Sequence, residues 1–206
     1  MLNLEQKYFK KGYKQILGGD EAGRGPLAGP VSVGVVLATK ETFKGLKKDL
    51  KDFPVRDSKK LSSMQRQTIY NKILTLPYIR YAQAFESNKI IDKFGIEEAT
   101  RRAFDKCLKK LKTKPDIILY DGNRPIDKKL NIEQIPIIHG DDKVFLISLA
   151  SIIAKVVRDT YMIKLSPKYP HYSFATHKGY GTSKHIRAIR KYGHSDLHRL
   201  TYLKNL

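Results

Sequence analysis

The chain has a single cysteine, Cys107, no tryptophan, and only half as many acidic residues (20) as basic ones (40). One cysteine excludes an internal disulfide framework and a multi-cysteine zinc site, and it fits a reducing compartment. The longest apolar stretch, residues 144–154, is too short to cross a bilayer. Residues 1–14 (MLNLEQKYFKKGYK) carry charge from Glu5 onward and hold no apolar run of signal-peptide length. The expectation is therefore a soluble, cytoplasmic protein with no membrane association. The shortage of acid leaves a formal net charge of +20 at pH 7, a field that attracts polyanions, so nucleic acid is the first partner to test. Of the basic residues 29 are Lys and 11 are Arg, and a solvated Lys surface would account for part of the excess. Charge names a class of ligand and no chemistry.

What is present is enough for a core. Of 206 residues, 41% are hydrophobic, which argues against a disordered chain, and the length suits one domain with at most a small appendage. Residues 14–19 and 30–39 are short apolar runs bounded by Gly, Pro and charge, and read as strands forming an early hairpin. A Lys-rich connection (Lys44, Lys47, Lys48, Lys51) leads to a helix over 58–74, then an alternating strand over 78–85. The next helix runs from about Ile96 to Leu111, with Ala99, Ala103, Phe104, Cys107, Leu108 and Leu111 on one face and lysines at its C-terminus. Pro115 opens a strand at 116–120 (DIILY), whose unbroken apolar run implies cover on both faces, and 134–138 (QIPII) repeats that pattern. A helix between strands implies parallel pairing. Residues 144–157 are apolar nearly all round, with only Lys155 charged, and mark a central buried helix. The tail carries Pro167 and Pro170, a Gly-rich loop (177–182) and a basic amphipathic stretch (183–192).

In so basic a chain, carboxylates at strand ends are the informative minority. Asp20 and Glu21 follow the first strand, Asp121 follows DIILY, and Asp141 with Asp142 lies between QIPII and the buried helix. If those strands are neighbours, mutual repulsion of the carboxylates calls for positive charge between them. Oxygen-only ligands favour a hard divalent ion, Mg²⁺ or Mn²⁺, over zinc. Bland readings stay open for each: Asp121-Gly122 as a turn, Asp141 as a helix cap, Asp20-Glu21 as a solvated loop. On a polyanion-binding protein, a cation cluster points to two-metal phosphoryl transfer.

Gly23-Arg24-Gly25-Pro26-Leu27-Ala28 fits a dinucleotide fingerprint, but that motif needs a helix next, and a Val-rich strand follows instead. A phosphate-cradling NTPase loop also fails, for want of the Gly-Lys-Ser/Thr ending. What remains is a loop whose backbone approaches a ligand closely, with Arg24 held between glycines. His139, His171, His177, His185, His194 and His198 follow no zinc spacing, and most are expected on the surface or at phosphates. Tyr180, between glycines on a basic loop, suits stacking on a sugar or base; ordinary packing is the alternative.

Taken together, GGDEAGRGPLAGPV, DSKKLS, YDGN, HGDDK followed by ASIIAKVVRD, and YPHYSFATHKGYGT resemble the type 2 ribonuclease H family, ribonuclease HII, over residues 18–199. The related type HIII enzymes carry an extra N-terminal domain and lack the Gly-Arg-Gly loop. The chain departs from the family's pattern at Leu149, where a small residue is common, and around 194–196, where prolines are usual. The resemblance implies an α/β ribonuclease H-like fold: a central mixed five-stranded sheet flanked by helices, in one catalytic domain over 1–206 with a C-terminal helical region. It implies that Asp20, Glu21, Asp121 and Asp141 are catalytic and hold two Mg²⁺ or Mn²⁺ ions, leaving Asp142 and Asp159 outside the site. Gly23, Arg24 and Gly25 would sense the ribose 2′-hydroxyl, Tyr180 would pack on the neighbouring deoxyribose, and Ser58 and Lys59 would contact phosphates.

The implied activity is a metal-dependent endoribonuclease acting on RNA/DNA hybrids and on ribonucleotide-containing duplex DNA, and with no exposed apolar heptad in the sequence a monomer is expected. It would cut 5′ of the ribonucleotide, leaving 3′-hydroxyl and 5′-phosphate ends, in DNA replication and repair. Two other readings remain at this point. A non-catalytic nucleic-acid-binding module explains the charge but not the acids, and a DNA-only nuclease explains the acids but has no need of a 2′-hydroxyl sensor.

Overall fold

The computed structural model describes residues 4–55 and 61–204. In chain order the elements are α1 (Leu4–Lys10), β1 (Ile16–Ala22), β2 (Val31–Ala38), α2 (Lys40–Asp49), α3 (Ser63–Leu74), β3 (Arg80–Glu86), α4 (Asn88–Leu111), β4 (Ile117–Asp121), β5 (Glu133–Ile137), α5 (Gly140–Lys143), α6 (Phe145–Leu165), α7 (Phe174–His177) and α8 (Ser183–Tyr192). The strands form one mixed sheet in the order β3-β2-β1-β4-β5. β2 runs antiparallel to both β1 and β3, whereas β1, β4 and β5 are mutually parallel. The C-terminal ends of β1, β4 and β5 therefore lie side by side at one edge, the usual place for a site in an open α/β sheet.

Both faces of the central strands are buried, which is why β2 reads as an unbroken Val-rich run. Alternation sorts the side chains. Ile16, Val36, Ile117 and Leu119 join the core beneath α6, while Leu17, Val33, Val35, Leu37, Ile118 and Tyr120 pack against Ala103, Phe104 and Cys107 of α4. α6 buries Leu146, Ile147, Leu149, Ile152 and Ile153 completely, each contributing about 1.5–3 kcal/mol. It lies so close to the sheet that a Cβ at Gly34 would run into the Ala150 carbonyl. Gly34 is the cross-strand partner of Asp20, so this close approach brings the polar stripe of α6 to that carboxylate.

Several expectations need correction. β1 continues through both glycines to Ala22, so Asp20 and Glu21 lie within the strand. The Lys-rich connection is helix α2, with a capping box between Thr39 and Thr42 and with Phe43 and Leu46 buried. α4 starts at Asn88, and Gly95, at φ +83°, kinks it where the periodic pattern begins. α6 runs on to Leu165 rather than ending near 157. β5 is an edge strand and only half buried, which accommodates Pro136.

Candidate active site

Asp20, Asp121 and Asp141 each offer a carboxylate oxygen within 4.8 Å of the others'. Asp20 comes from β1 and Asp121 ends β4. Both project from the α6 side of the sheet, following the same alternation as Ile16 and Leu119. Asp141 arrives from α5, where Ser148 of α6 donates its hydroxyl to the Asp141 carbonyl, and Gly140 N–H donates to Asp121 Oδ1 at 2.8 Å. Asp20 and Asp141 are buried and Asp121 is partly so.

Glu21, one residue on, projects to the opposite face. It is outside the three-carboxylate group, accepts a hydrogen bond from Tyr120 and pairs with Arg24 at 3.6 Å. Asp142 is exposed on α5. Asp159 forms ion pairs with Lys155 at 3.0 Å and Arg158 at 4.0 Å and is not a member of the group.

The crowding has an electrostatic cost. Burial, together with the charges of Glu21, Asp121 and Asp141, holds the Asp20 carboxyl well above the ordinary Asp range, opposed by a hydrogen bond from Ser151. Tyr120 is pushed up as well, by burial and by Glu21 beside it. Three converging oxygens with no sulfur or imidazole among them fit a hard divalent cation such as Mg²⁺ or Mn²⁺. A positive charge there would relieve the repulsion that raises Asp20.

A cleft of about 420 Å³ opens over this group, lined by Asp20, Glu21 and Asp121, by Gly23, Arg24 and Gly25, and by Arg66, Ser151, Lys155 and Tyr180. A second of about 470 Å³ shares Glu21, Arg24 and Asp121 and extends past Asn123, Arg124 and His139. Carboxylates thus form the floor, with cations around them. The Gly-Arg-Gly loop borders the first cleft because two buried arginines hold it from behind. Arg158 donates to the carbonyls of Pro30 (2.9 Å) and Ala28 (3.2 Å). Arg199 donates to Arg24, Gly29 and Gly23 at 2.8, 3.0 and 2.6 Å. Gly23 sits at φ +92°, and a Cβ there would overlap the Arg158 guanidinium. Burial lowers the pKa of both arginines, that of Arg199 to about 10, at which it remains charged at neutral pH. Tyr180 is 39% exposed, and its ring faces the Lys155 ammonium at 5.2 Å and the Arg158 guanidinium at 5.7 Å.

Ser58 and Lys59 lie outside the described residues. The histidines divide: His139, His171 and His194 are exposed, but His177, His185 and His198 are buried and packed around Tyr172 and Phe174, which corrects the expectation of surface positions. Ser151, Lys155, Arg158 and Arg199 were not among the candidates. Ser148, Ser151, Lys155 and Arg158 recur every three or four residues along an apolar helix. That polar stripe at helical period marks a face turned toward something polar.

The family model for ribonuclease HII matches residues 17–205. A ribonuclease HII from Caldicellulosiruptor bescii is 43% identical over 204 residues, spanning 98% of this chain and 93% of the relative. Among solved structures, ribonuclease H2 from Pyrococcus horikoshii OT3 superposes with a TM-score of 0.73 at 30% identity, covering 91% of this chain and 93% of that one. A Bst-RNase HIII structure in complex with Mn²⁺ reaches a TM-score of 0.63 at 17% identity, covering 88% of this chain and 63% of the other, and shares the fold. Carboxylates gathered at the C-terminal edge of three parallel strands, beside a glycine loop under two arginines, are thus carried on a matching framework along nearly the whole chain. The chain belongs to the ribonuclease HII family, nucleases with ribonuclease H activity on RNA/DNA hybrids.

Proposed function

We propose that this chain cleaves duplex DNA 5′ of an embedded ribonucleotide, as well as RNA/DNA hybrids, leaving 3′-hydroxyl and 5′-phosphate ends, and so serves ribonucleotide removal in DNA replication and repair. One observation carries the reading: a single cleft is bordered both by two members of the carboxylate group and by Gly23, Arg24, Gly25 and Tyr180. Chemistry and ribose recognition then act on the same nucleotide.

Asp20, Asp121 and Asp141, with Glu21 beside them, would hold two divalent ions, Mg²⁺ or Mn²⁺, and the Mn²⁺ complex of a type HIII relative is consistent with that. Such ions, when bound, supply an activated water and charge neutralisation at the phosphate. The remaining roles belong to this chain. Ser151 orients Asp20, and Tyr120 holds Glu21. Lys155 and Arg66 face the cleft as phosphate contacts. Gly23 to Gly25 read the 2′-hydroxyl, the group that distinguishes RNA from DNA at one nucleotide. Tyr180 offers its ring to the next sugar, and Ser58 and Lys59, by the family resemblance, would contact backbone phosphates.

The test is one gel. A DNA duplex with a single ribonucleotide and an all-DNA duplex are incubated with the protein and Mg²⁺ or Mn²⁺. The first is expected to be cut once, on the 5′ side, and the second left intact. Asp121→Asn should lower cleavage by at least ~10³-fold, the order of a lost charge-stabilising group, while leaving duplex binding in place. Cutting of the all-DNA duplex, or retained turnover in Asp121→Asn, would refute the reading.

A further inference from the structure

Arg199 is fully buried, and its guanidinium grips both ends of the loop over 23–30. Nη2 donates to Gly23 O at 2.6 Å and to Pro30 O at 3.3 Å, Nη1 to Arg24 O at 2.8 Å, and Nε to Gly29 O at 3.0 Å. Its own N–H donates to Leu27 O at 2.8 Å. The Tyr202 hydroxyl adds a second donor to Arg24 O at 3.1 Å, and its ring covers the Arg199 guanidinium at 5.1 Å. No acidic side chain takes part in these contacts. A guanidinium satisfied by backbone carbonyls fixes the orientation of the peptides that supply them.

That orientation has a consequence on the other side of the chain. A trans peptide is planar, so its C=O and N–H point in opposite directions. The carbonyls of Gly23 and Arg24 point inward to Arg199, hence the next N–H groups, those of Arg24 and Gly25, point away from it. Both residues line the cleft, both are exposed, and among the described residues neither N–H has a partner. Two adjacent outward N–H groups make a small concave donor site for an oxygen. We infer that Arg199 is a positioning residue for ribonucleotide specificity: from outside the cleft it turns the Arg24 and Gly25 amides toward the 2′-hydroxyl and its phosphate.

The inference rests on the proposed role of Gly23 to Gly25 as the ribose sensor, and its test separates the two. Affinities are measured for a duplex with one ribonucleotide and for the same duplex in all-DNA form, with Ca²⁺ in place of the catalytic ion. The wild-type protein should prefer the ribonucleotide. Arg199→Lys keeps the charge but cannot reproduce the fork, and should lower the preference at least tenfold, with all-DNA affinity changed less than twofold. Mn²⁺ binding, followed calorimetrically, should stay within twofold, because the three-carboxylate group hangs on β1, β4 and α5. Tyr202→Phe removes one donor to Arg24 O with little risk to folding and should lower the preference two- to fivefold.

A general structural defect would weaken both duplexes together, and that result overturns the inference. So does a preference unchanged in Tyr202→Phe and in a folded Arg199→Lys, or in Tyr202→Phe alone if Arg199→Lys does not fold. A wild-type protein without any preference would instead overturn the sensor reading, and the inference with it.

Discussion

His185 and His198 meet Nε2 to Nε2 at 3.0 Å inside the C-terminal region. The surrounding bonds leave one assignment of protons. Ser195 N–H donates to His198 Nδ1 at 2.9 Å, so His198 carries its proton on Nε2 and donates to His185 Nε2. His185 then donates from Nδ1 to the Tyr180 carbonyl at 2.9 Å. The relay runs in one direction and ends on the backbone of the residue proposed to pack on the sugar. His177 stacks on His185 at 4.4 Å and is bound separately, accepting from Gly179 N–H and bonding Tyr172 O.

Protonating either ring of the pair would set N–H against N–H. Burial pushes both to about 4, helped by His177 at His185 and by His185 and His194 at His198, where Asp196 opposes. Lys178 and Lys184 stand on the same side, near His177. A folded pKa below the unfolded one gives stability that is complete above about 6.5 and declines as pH falls toward 4. The size is on the order of 3 kcal/mol for one ring, and less than double that for the coupled pair. Denaturant midpoints followed by circular dichroism between pH 7.5 and 4.5 should fall steeply for the wild type and less for His198→Gln. Equal slopes would contradict the relay.

Asp20 carries the opposite sign. Its folded pKa is raised, so its contribution favours the fold at low pH and is lost as pH rises through that value. At pH 7.5 with chelator, Asp20→Asn should therefore be more stable than the wild type, by about 1–2 kcal/mol. Adding Mn²⁺ should raise the wild-type Tm and leave Asp20→Asn nearly unmoved, because binding stabilises only a fold with an intact site. A variant less stable than the wild type in chelator would show that the crowded carboxylates are already compensated.

Glu5 supports the same region from outside the span of the family match. Val144 offers no side-chain cap to α6, and the buried Glu5 carboxyl takes its place, accepting from Leu146 N–H at 3.0 Å. An anion at a helix N-terminus satisfies orphan donors and the helix dipole together. Glu5→Ala should cost about 2 kcal/mol in chemical denaturation and Glu5→Gln about half of that. Because the first turn of α6 holds the Asp141 carbonyl through Ser148, Mn²⁺ affinity should fall in step with the lost stability.

The sheet was legible because β2 and β4 are buried on both faces and so appear as unbroken Val and Ile runs, with Asp121 at the C-terminal end of β4. α2 was masked by its lysines, although Phe43, Leu46 and Leu50 keep helical spacing beneath them. The separation of Asp20 from Glu21 onto opposite faces follows from strand alternation once β1 reaches Ala22. The histidine relay joins the loop before α8, α8 itself and the segment after it, a contact that no local spacing encodes. Arg158 and Arg199 carry no local signal in the sequence, because only the folded loop supplies the carbonyls that make their burial tolerable.

Gly23 and Gly25 look equivalent in the motif and are not equivalent in the fold. Gly23 is buried at φ +92° with the Arg158 guanidinium where a Cβ would go, whereas Gly25 has nothing within 4 Å of that position and opens on the cleft. Gly23→Ala must strain the backbone and displace Arg158 from the Ala28 and Pro30 carbonyls, and should destabilise by at least ~2 kcal/mol. Gly25→Ala should stay within about 0.5 kcal/mol of the wild type in denaturation, as an exposed substitution without strain does. Its methyl group would nonetheless stand in the space proposed for the ribose, so cleavage of the single-ribonucleotide duplex should drop at least tenfold through KM. Equal stability losses for the two variants would mean that both glycines serve the fold. A Gly25→Ala enzyme with unchanged KM would place the ribose elsewhere in the cleft.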